Sequence, residues 1–146
     1  QTFSKQRDVD FSALPFFIEA SSPAELNLLH EVASALSSKV YEATSDQRRH
    51  LHLAAVFACN FVNHMYALSA QILEQHGIPF DVMLPLTDET ARKIHELSPV
   101  QAQTGPAVRY DRNVIDKHLE MLADENTLHE LYKSISESIH SLHKGQ

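Results

Sequence analysis

The sequence predicts a mainly α protein, a helical bundle around one long central helix, with a short strand segment near the N-terminus. Three observations predict this class. The 146 residues include only 3 glycines and 6 prolines, which leaves few turns and favours long helices. Residues 45–76 contain neither glycine nor proline. Strand-like runs are confined to residues 14–20 and 39–44.

Charge and composition exclude several classes of partner. The formal net charge of −7 argues against binding to nucleic acid or to an anionic membrane surface. No apolar run approaches the roughly 18 residues that span a bilayer, and no signal peptide is visible. We therefore expect no nucleic acid, no membrane partner and a cytoplasmic location.

The N-terminal part predicts a strand followed by a helix. The chain starts at Gln1, with a polar and then strand-like stretch that suggests the tail of an upstream segment. Leu14–Ala20 is an apolar run typical of a strand, whose neighbouring strands we expect outside this sequence. Ser22 and Pro23 are the cap and first residue of a helix. One face of that helix is apolar, at Leu26, Leu29, Val32, Ala33 and Leu36.

The long helix begins at a cap on Thr44 or Ser45 and ends at Gly77. Its middle, from Leu51 to Phe61, is apolar on nearly all sides, which is typical of a helix buried all round. Such a helix is either central in its own chain or shared with a second subunit. We expect a homodimer formed through residues 45–76.

The C-terminal half predicts three more helices. Residues 79–99 form one that Pro85 bends or interrupts. Ser98–Asp111 is the one long irregular stretch. Two amphipathic helices follow, with expected caps at Asp111 and at Asp124 or Asn126.

Several kinds of chemical site are excluded or disfavoured. Glycine occurs only at positions 77, 105 and 145, so this chain contains neither of the glycine-rich turns that cradle dinucleotides or phosphates. No histidine pair has the i, i+4 spacing of a helical zinc site, and Cys59 is the single cysteine. We expect no metal, and we expect Cys59 to be an inert thiol inside an apolar helix.

Polar side chains on the long helix are candidates for a site. His52, Asn60, Asn63 and His64 interrupt its apolar middle, and Asn60 and His64 form an i, i+4 pair. Buried carboxamides and imidazoles need hydrogen-bond partners. They either bond to loops and other helices or line a pocket.

The stretch TGPAVRYD, residues 104–111, is the second candidate. Gly105 and Pro106 indicate a tight turn, followed by Arg109 just before a helix start. In one interpretation Asp111 is a helix cap and Arg109 pairs with an acid. In the other, the loop presents Thr104 and Arg109 to an anionic ligand or to one end of a cofactor.

Three segments carry a resemblance to a known family: HLAAVFACNFVNHMYALSAQIL, GIPFDVMLPL, and LSPVQAQTGPAVRYD with VIDKHLEML. They resemble the helical C-terminal domain of Rossmann-like oxidoreductases, catalogued as domain of unknown function 2520. That family is distantly similar to pyrroline-5-carboxylate reductase and to coenzyme F420-dependent NADP reductase, and its helical domain is of the 6-phosphogluconate dehydrogenase C-terminal type. The resemblance covers roughly residues 14 to 123.

The resemblance implies two domains with different roles. A Rossmann domain that is absent from this chain would bind NADP or NAD, residues 1–20 would be its last strand region, and residues 21–146 would be the substrate and dimerisation domain. The resemblance does not identify the small-molecule substrate or the catalytic residues. It implies that this chain alone is inactive and binds no cofactor. A noncatalytic helical dimerisation or interaction module is the alternative. The candidates for the substrate cleft are His52, Asn60, His64, Thr104, Gly105, Pro106 and Arg109.

Overall fold

The computed structural model describes residues 8–144. It is mainly helical with one short pair of parallel strands, which confirms the predicted fold class. The described residues divide between His76 and Gly77 into two compact units.

The first unit opens with a β–α–β arrangement. Strand β1 (Phe16–Ile18) is followed by helix α1 (Pro23–Leu36) and strand β2 (Val40–Glu42). The two strands pair in parallel, which requires a crossover connection such as a helix between them. We expected the strands next to β1 to lie outside the sequence. That expectation is wrong for one edge of β1, because β2 pairs with it there.

Helix α1 is held to the strand segment at its C-terminal end. Ser22 caps its start by accepting a hydrogen bond from the backbone of Glu25. At the other end Ser37 is buried, and its hydroxyl donates to the carbonyl oxygen of Leu14 at 2.7 Å. Of the predicted apolar face only Ala33 is buried. The larger residues Leu29, Val32 and Leu36 stay exposed.

A continuous helix of 30 residues follows, and we call Ser45–Glu74 the long helix. It consists of α2 (Ser45–Ala55), a π-helical segment (Val56–Phe61) and α3 (Val62–Glu74). Thr44 is the cap, with a reciprocal capping box to Gln47. Of the two predicted caps, Thr44 and Ser45, the structure therefore has Thr44. Gly77 has a φ of 70° just beyond the end of the helix.

The start of the long helix is also tied to the end of β1. The carboxylate of Glu19 accepts hydrogen bonds from the backbone and the hydroxyl of Ser45, at 3.0 and 2.6 Å. The same carboxylate forms an ion pair of 2.6 Å with Arg48. These hydrogen bonds lower the pKa of Glu19, that of the Ser45 hydroxyl most strongly.

The apolar middle of the long helix is exposed in this single chain, whereas its composition suggests burial either by its own chain or by a second subunit. From residue 51 to residue 67 only Val56 and Met65 are half-buried, and the rest are exposed. By length and composition alone, this helix would suffice to cross a membrane. That corrects the expectation that no segment approaches such a span, although one helix of this kind is weak evidence of a membrane protein.

The second unit consists of helices joined by short connections: a 3-10 turn (Phe80–Met83), α4 (Leu84–Lys93), α5 (Pro99–Ala102), α6 (Pro106–Arg109), α7 (Arg112–Met121) and α8 (Asn126–His143). Pro85 lies in the first turn of α4, so the predicted interruption is confirmed. The prediction of an irregular stretch over 98–111 is wrong in part, because α5 and α6 are single helical turns. Each begins at a proline, whose fixed φ suits a first helical turn.

Helix α8 packs against α6 and α7, and this contact forms the core of the second unit. Its buried apolar residues are Ala107, Ile115 and Leu128. Asp111 caps α7 by accepting a hydrogen bond from the backbone of Val114, as predicted. Helix α8 begins after Glu125, so the expected caps at Asp124 or Asn126 are wrong.

Candidate functional site

The seven candidate residues fall into two groups, one in each unit. His52, Asn60 and His64 belong to the long helix, and Thr104, Gly105, Pro106 and Arg109 surround the start of α6. The structure fixes the local geometry of each group.

The π-helical segment changes which residues of the long helix share a side. In an uninterrupted α-helix, the twelve residues from His52 to His64 leave these side chains about 120° apart around the axis. A π turn has hydrogen bonds from i to i+5 and rotates less per residue. The six π residues Val56–Phe61 therefore turn His64 back toward the side of His52 and Asn60.

These three side chains are also available for binding. His52, Asn60 and His64 are exposed, and none of their side chains has a hydrogen bond to another residue within the described range 8–144. The interpretation in which loops and neighbouring helices satisfy them is not what the structure shows. They form a polar strip on a helix whose other residues in this region are mostly apolar. We call these three residues the polar strip.

The loop group depends on the backbone of Gly105. Its φ of 104° and ψ of 179° lie in a region that only glycine occupies without strain. Pro106 then starts α6, and Ala107 is buried beneath it. The glycine thus sets the direction in which the chain enters α6.

Thr104 and Arg109, at the two ends of this turn, are both exposed. The structure gives Arg109 no ion pair with any acid among residues 8–144, so the predicted pairing is not present there. Asp111, the other part of that interpretation, is the cap of α7. Arg109 is therefore a cation that an anionic ligand can approach.

A tyrosine next to this loop was missed by the sequence analysis. Tyr110 has a φ of 52°, in the left-handed region, and its ring stacks on His140 with centroids 4.1 Å apart. Its phenolic oxygen accepts a hydrogen bond of 2.9 Å from Arg112. That hydrogen bond is the main cause that raises the pKa of the Arg112 guanidinium. Bulky residues seldom adopt positive φ, so no sequence pattern indicated this conformation.

Two more histidines of the second unit have structural partners. The Nδ1 atom of His118 lies 2.8 Å from the hydroxyl of Tyr132. His143 places its two ring nitrogens 2.8 and 3.1 Å from the carbonyl oxygens of Ile139 and Val100. Nowhere between residues 8 and 144 do three or more potential metal ligands cluster.

Comparison with known proteins identifies the family. The model of the family described as Domain of unknown function (DUF2520) matches residues 14–139. The chain belongs to this family. The match includes the polar strip, the Gly105 turn and most of α8.

Two solved structures of similar proteins extend the comparison. A protein of Bacteroides fragilis, named as a candidate NADP oxidoreductase, is 63% identical over 97% of this chain and 54% of its own, with a TM-score of 0.88. A protein of Thermotoga maritima shares the fold at 24% identity and a TM-score of 0.72, over 84% of this chain and 51% of its own. The chain thus spans about half the length of both. No curated protein matches it.

Proposed function

We propose that this chain is the substrate-side and dimerisation domain of an oxidoreductase that uses NADP. The observation that carries the proposal is the 63% identity to the Bacteroides fragilis protein named as a candidate NADP oxidoreductase. Glycine is absent from the positions that a dinucleotide-binding turn needs, so NADP or NAD would be bound by a part of the protein outside these 146 residues.

The sheet supports this division into domains. Two strands of three residues are too few for a stable parallel sheet, since parallel sheets are normally larger and covered on both faces. Since β1 and β2 pair with each other, the last strand region of the Rossmann domain, expected over residues 1–20, extends in the proposed arrangement to Glu42, and the helical domain follows it. Residues 1–7 of that region lie outside the described part.

Each unit would offer its own candidates for substrate contacts, namely the polar strip in the first unit and the loop at Gly105 in the second. Hydride transfer is the chemistry of the nicotinamide cofactor, while the protein orients the substrate and complements its charge. His52 and Asn60 offer exposed hydrogen-bonding groups, and Arg109 offers an exposed cation without an ion pair among the described residues. Groups of these two kinds suit a polar or anionic small molecule.

The long helix would form a homodimer rather than enter a membrane. Its exposed apolar side chains include Leu53, Phe57 and Phe61, with 56%, 61% and 47% of their surface accessible. The same stretch carries His52, Asn60, Asn63 and His64, which are costly in hydrocarbon. The net charge of −7 also disfavours an anionic membrane. We therefore propose a soluble protein, for which the cytoplasm is the expected location.

The substrate role can be tested with the full-length protein. A panel of small carbonyl and imine compounds is screened for NADPH oxidation, and the compound that reacts is titrated against H52A, N60A and R109A. We expect each variant to raise KM or lower kcat/KM at least tenfold, whereas H30A, an exposed histidine on α1, leaves both unchanged. Unchanged kinetics in all three variants would refute the assigned residues.

The exposed apolar helix also favours a second candidate function, a noncatalytic helical interaction module. In that case the full-length protein would dimerise but would neither bind NADPH nor oxidise it with any compound of the panel. The same screen therefore separates the two candidates.

A further inference from the structure

We propose that Glu19 and Arg48 are positioning residues, which fix the direction in which the long helix leaves the strand pair and thereby hold His52 in place for the substrate. The inference rests on the proposed function, from which it takes the substrate role of His52. It adds two residues that touch no substrate and act through His52. We call Glu19, Ala43, Ser45 and Arg48 the clamp.

Glu19 directly follows β1, and the start of the long helix occupies both oxygens of its carboxylate. The Oε1 atom accepts a hydrogen bond of 3.0 Å from the backbone of Ser45. The Oε2 atom accepts one of 2.6 Å from the Ser45 hydroxyl and lies 2.6 Å from the Nη2 atom of Arg48. An exposed ion pair alone stabilises little, but three contacts to two oxygens restrict the orientation of the helix start.

Arg48 extends the clamp to the end of the second strand. Its Nη1 atom donates a hydrogen bond of 2.8 Å to the carbonyl oxygen of Ala43, the residue after β2. Its Nη2 atom lies 3.1 Å from the Ser45 hydroxyl oxygen, to which it donates. The backbone of Ala43 in turn donates to the carbonyl oxygen of Ile18, the last residue of β1, at 3.0 Å. Hydrogen bonds thus join the ends of both strands to the first turn of the helix.

His52 lies on the side of the long helix that the clamp holds. Ser45, Arg48 and His52 are three and four residues apart, a spacing that places residues along one side of an α-helix. All three belong to α2, so the π-helical segment does not alter this relation. Ser45 and Arg48 both contact Glu19, and therefore this side faces the end of β1, with the exposed His52 one turn further on.

The end of β1 is the edge at which a ligand is expected. In open sheets of parallel strands, ligands bind outside the carboxyl ends of the strands. Glu19 follows the carboxyl end of β1, and Ala43 follows that of β2. The clamp therefore places His52 next to the ligand-binding edge of the sheet to which these two strands would belong.

A small tilt of the long helix would displace His52 by a chemically important distance. Only Ala43 and Thr44 connect β2 to the helix, so the helix can pivot at this point. His52 is seven residues beyond Ser45, about 10 Å along the axis, and a tilt of roughly 10° would move it by about 2 Å. A misplacement of about 1 Å can lower a rate on the order of 100-fold. The clamp thus affects the reaction even where it adds little stability.

The test is a double-mutant cycle in the full-length protein, with NADPH and the compound that the screen identifies. E19A removes all three contacts of the carboxylate. We expect E19A to lower kcat/KM at least tenfold in the wild-type background and less than twofold in the H52A background, because residues that act as a unit are not additive. A merely structural role of Glu19 would give the same factor in both backgrounds.

D46A is the matched control. Asp46 lies in the same turn, but its ion pairs, with Arg49 and His50, stay within the helix. We expect D46A to leave kcat/KM unchanged. Circular dichroism at the assay temperature confirms that each variant is folded.

A distance measurement reports the direction of the helix without any turnover. Spin labels are attached at S38C and Q71C, two exposed positions on the loop before β2 and on the long helix, in a C59S background diluted with unlabelled protein. We expect E19A to broaden the distribution of distances between the labels and D46A to leave it narrow. A narrow distribution in E19A would overturn the proposal.

The two measurements separate the possible failures. Equal factors in both backgrounds, or unchanged kinetics in E19A, would show that Glu19 does not act through His52, while the proposed function stands. If the wild type oxidises NADPH with no compound of the panel, the proposed function fails, and the clamp then has only the structural role that the label distances report.

Discussion

The ring of Tyr110 lies against the ring of His140, with centroids 4.1 Å apart and the two planes 20° from parallel. This contact joins the end of α6 to the last third of α8. It holds Tyr110 in a left-handed backbone conformation, which costs a non-glycine residue roughly 1–2 kcal/mol. The stack therefore stabilises a strained residue directly after the candidate loop.

The strain and the stack at Tyr110 can be separated by two substitutions. Y110A removes the ring but keeps the strained conformation, whereas Y110G removes both the ring and the strain. We expect Y110A to unfold at lower urea concentration than the wild type, and Y110G to be more stable than Y110A by about 1 kcal/mol. Equal stability of the two variants would show that the backbone at 110 is not strained.

Gly105 gives a second prediction about the same loop. A β-carbon added there would meet nothing within 4 Å, so any cost of G105A comes from the backbone alone. We expect a loss of about 1–3 kcal/mol in the free energy of unfolding. G77A, at a φ of 70°, is the matched control and should lose less, since some residues with a β-carbon adopt that region. A neutral G105A would contradict the assigned conformation.

Gly105 and Tyr110 show which features of the loop the sequence could predict and which it could not. Gly105 followed by Pro106 is a turn signal with a known mechanism, and the Asp111 cap follows from its place before a helix. Tyr110 gave no such signal, because its conformation depends on a partner, His140, thirty residues later. Contacts of this range are decided by packing and not by local propensity.

His143 gives a prediction about pH. Its two nitrogens face two carbonyl oxygens, and only the doubly protonated ring donates to both. These hydrogen bonds, that of Ile139 most strongly, raise its pKa. A raised pKa means that the stabilisation is complete below the ordinary value near 6.5 and is lost as the pH rises through the folded-state value.

We therefore expect the second unit to unfold more easily at pH 8 than at pH 6, and expect H143Q to weaken that dependence. An NMR titration of the His143 ring checks the pKa directly. H95Q, a change at an exposed histidine outside this contact, is the control. A pKa at or below the ordinary value would contradict the two hydrogen bonds.

Glu19 gives the opposite pH dependence in the first unit. Its pKa is lowered, chiefly by the Ser45 hydroxyl, so its stabilising effect is present above the ordinary value. It is lost as the pH falls through the lowered folded-state value. We expect E19Q to lower the melting temperature at pH 7 and to have a smaller effect at pH 3. E25Q, at the exposed start of α1, is the control, and an equal effect at both pH values would contradict the account.

In the long helix, too, the features with local causes could be predicted from the sequence, and those that depend on distant contacts could not. Its length and its cap at Thr44 follow from the periodic pattern and from the absence of glycine and proline. The π-helical segment at Val56–Phe61 could not be predicted. The middle of the helix is apolar on nearly all sides, so an extra residue in one turn does not alter its apolar pattern. The pattern alone does not decide between coverage by its own chain and coverage by a second copy, since both produce the same apolar sequence.

We propose above that this chain is the substrate-side domain of an NADP-dependent oxidoreductase whose cofactor binds elsewhere in the protein. The most direct test is a fluorescence titration with NADPH of the full-length protein and of this chain alone. We expect that the full-length protein binds NADPH and that the chain alone does not. Absence of binding by the full-length protein would contradict the oxidoreductase assignment, and binding by the chain alone would contradict the location of the cofactor.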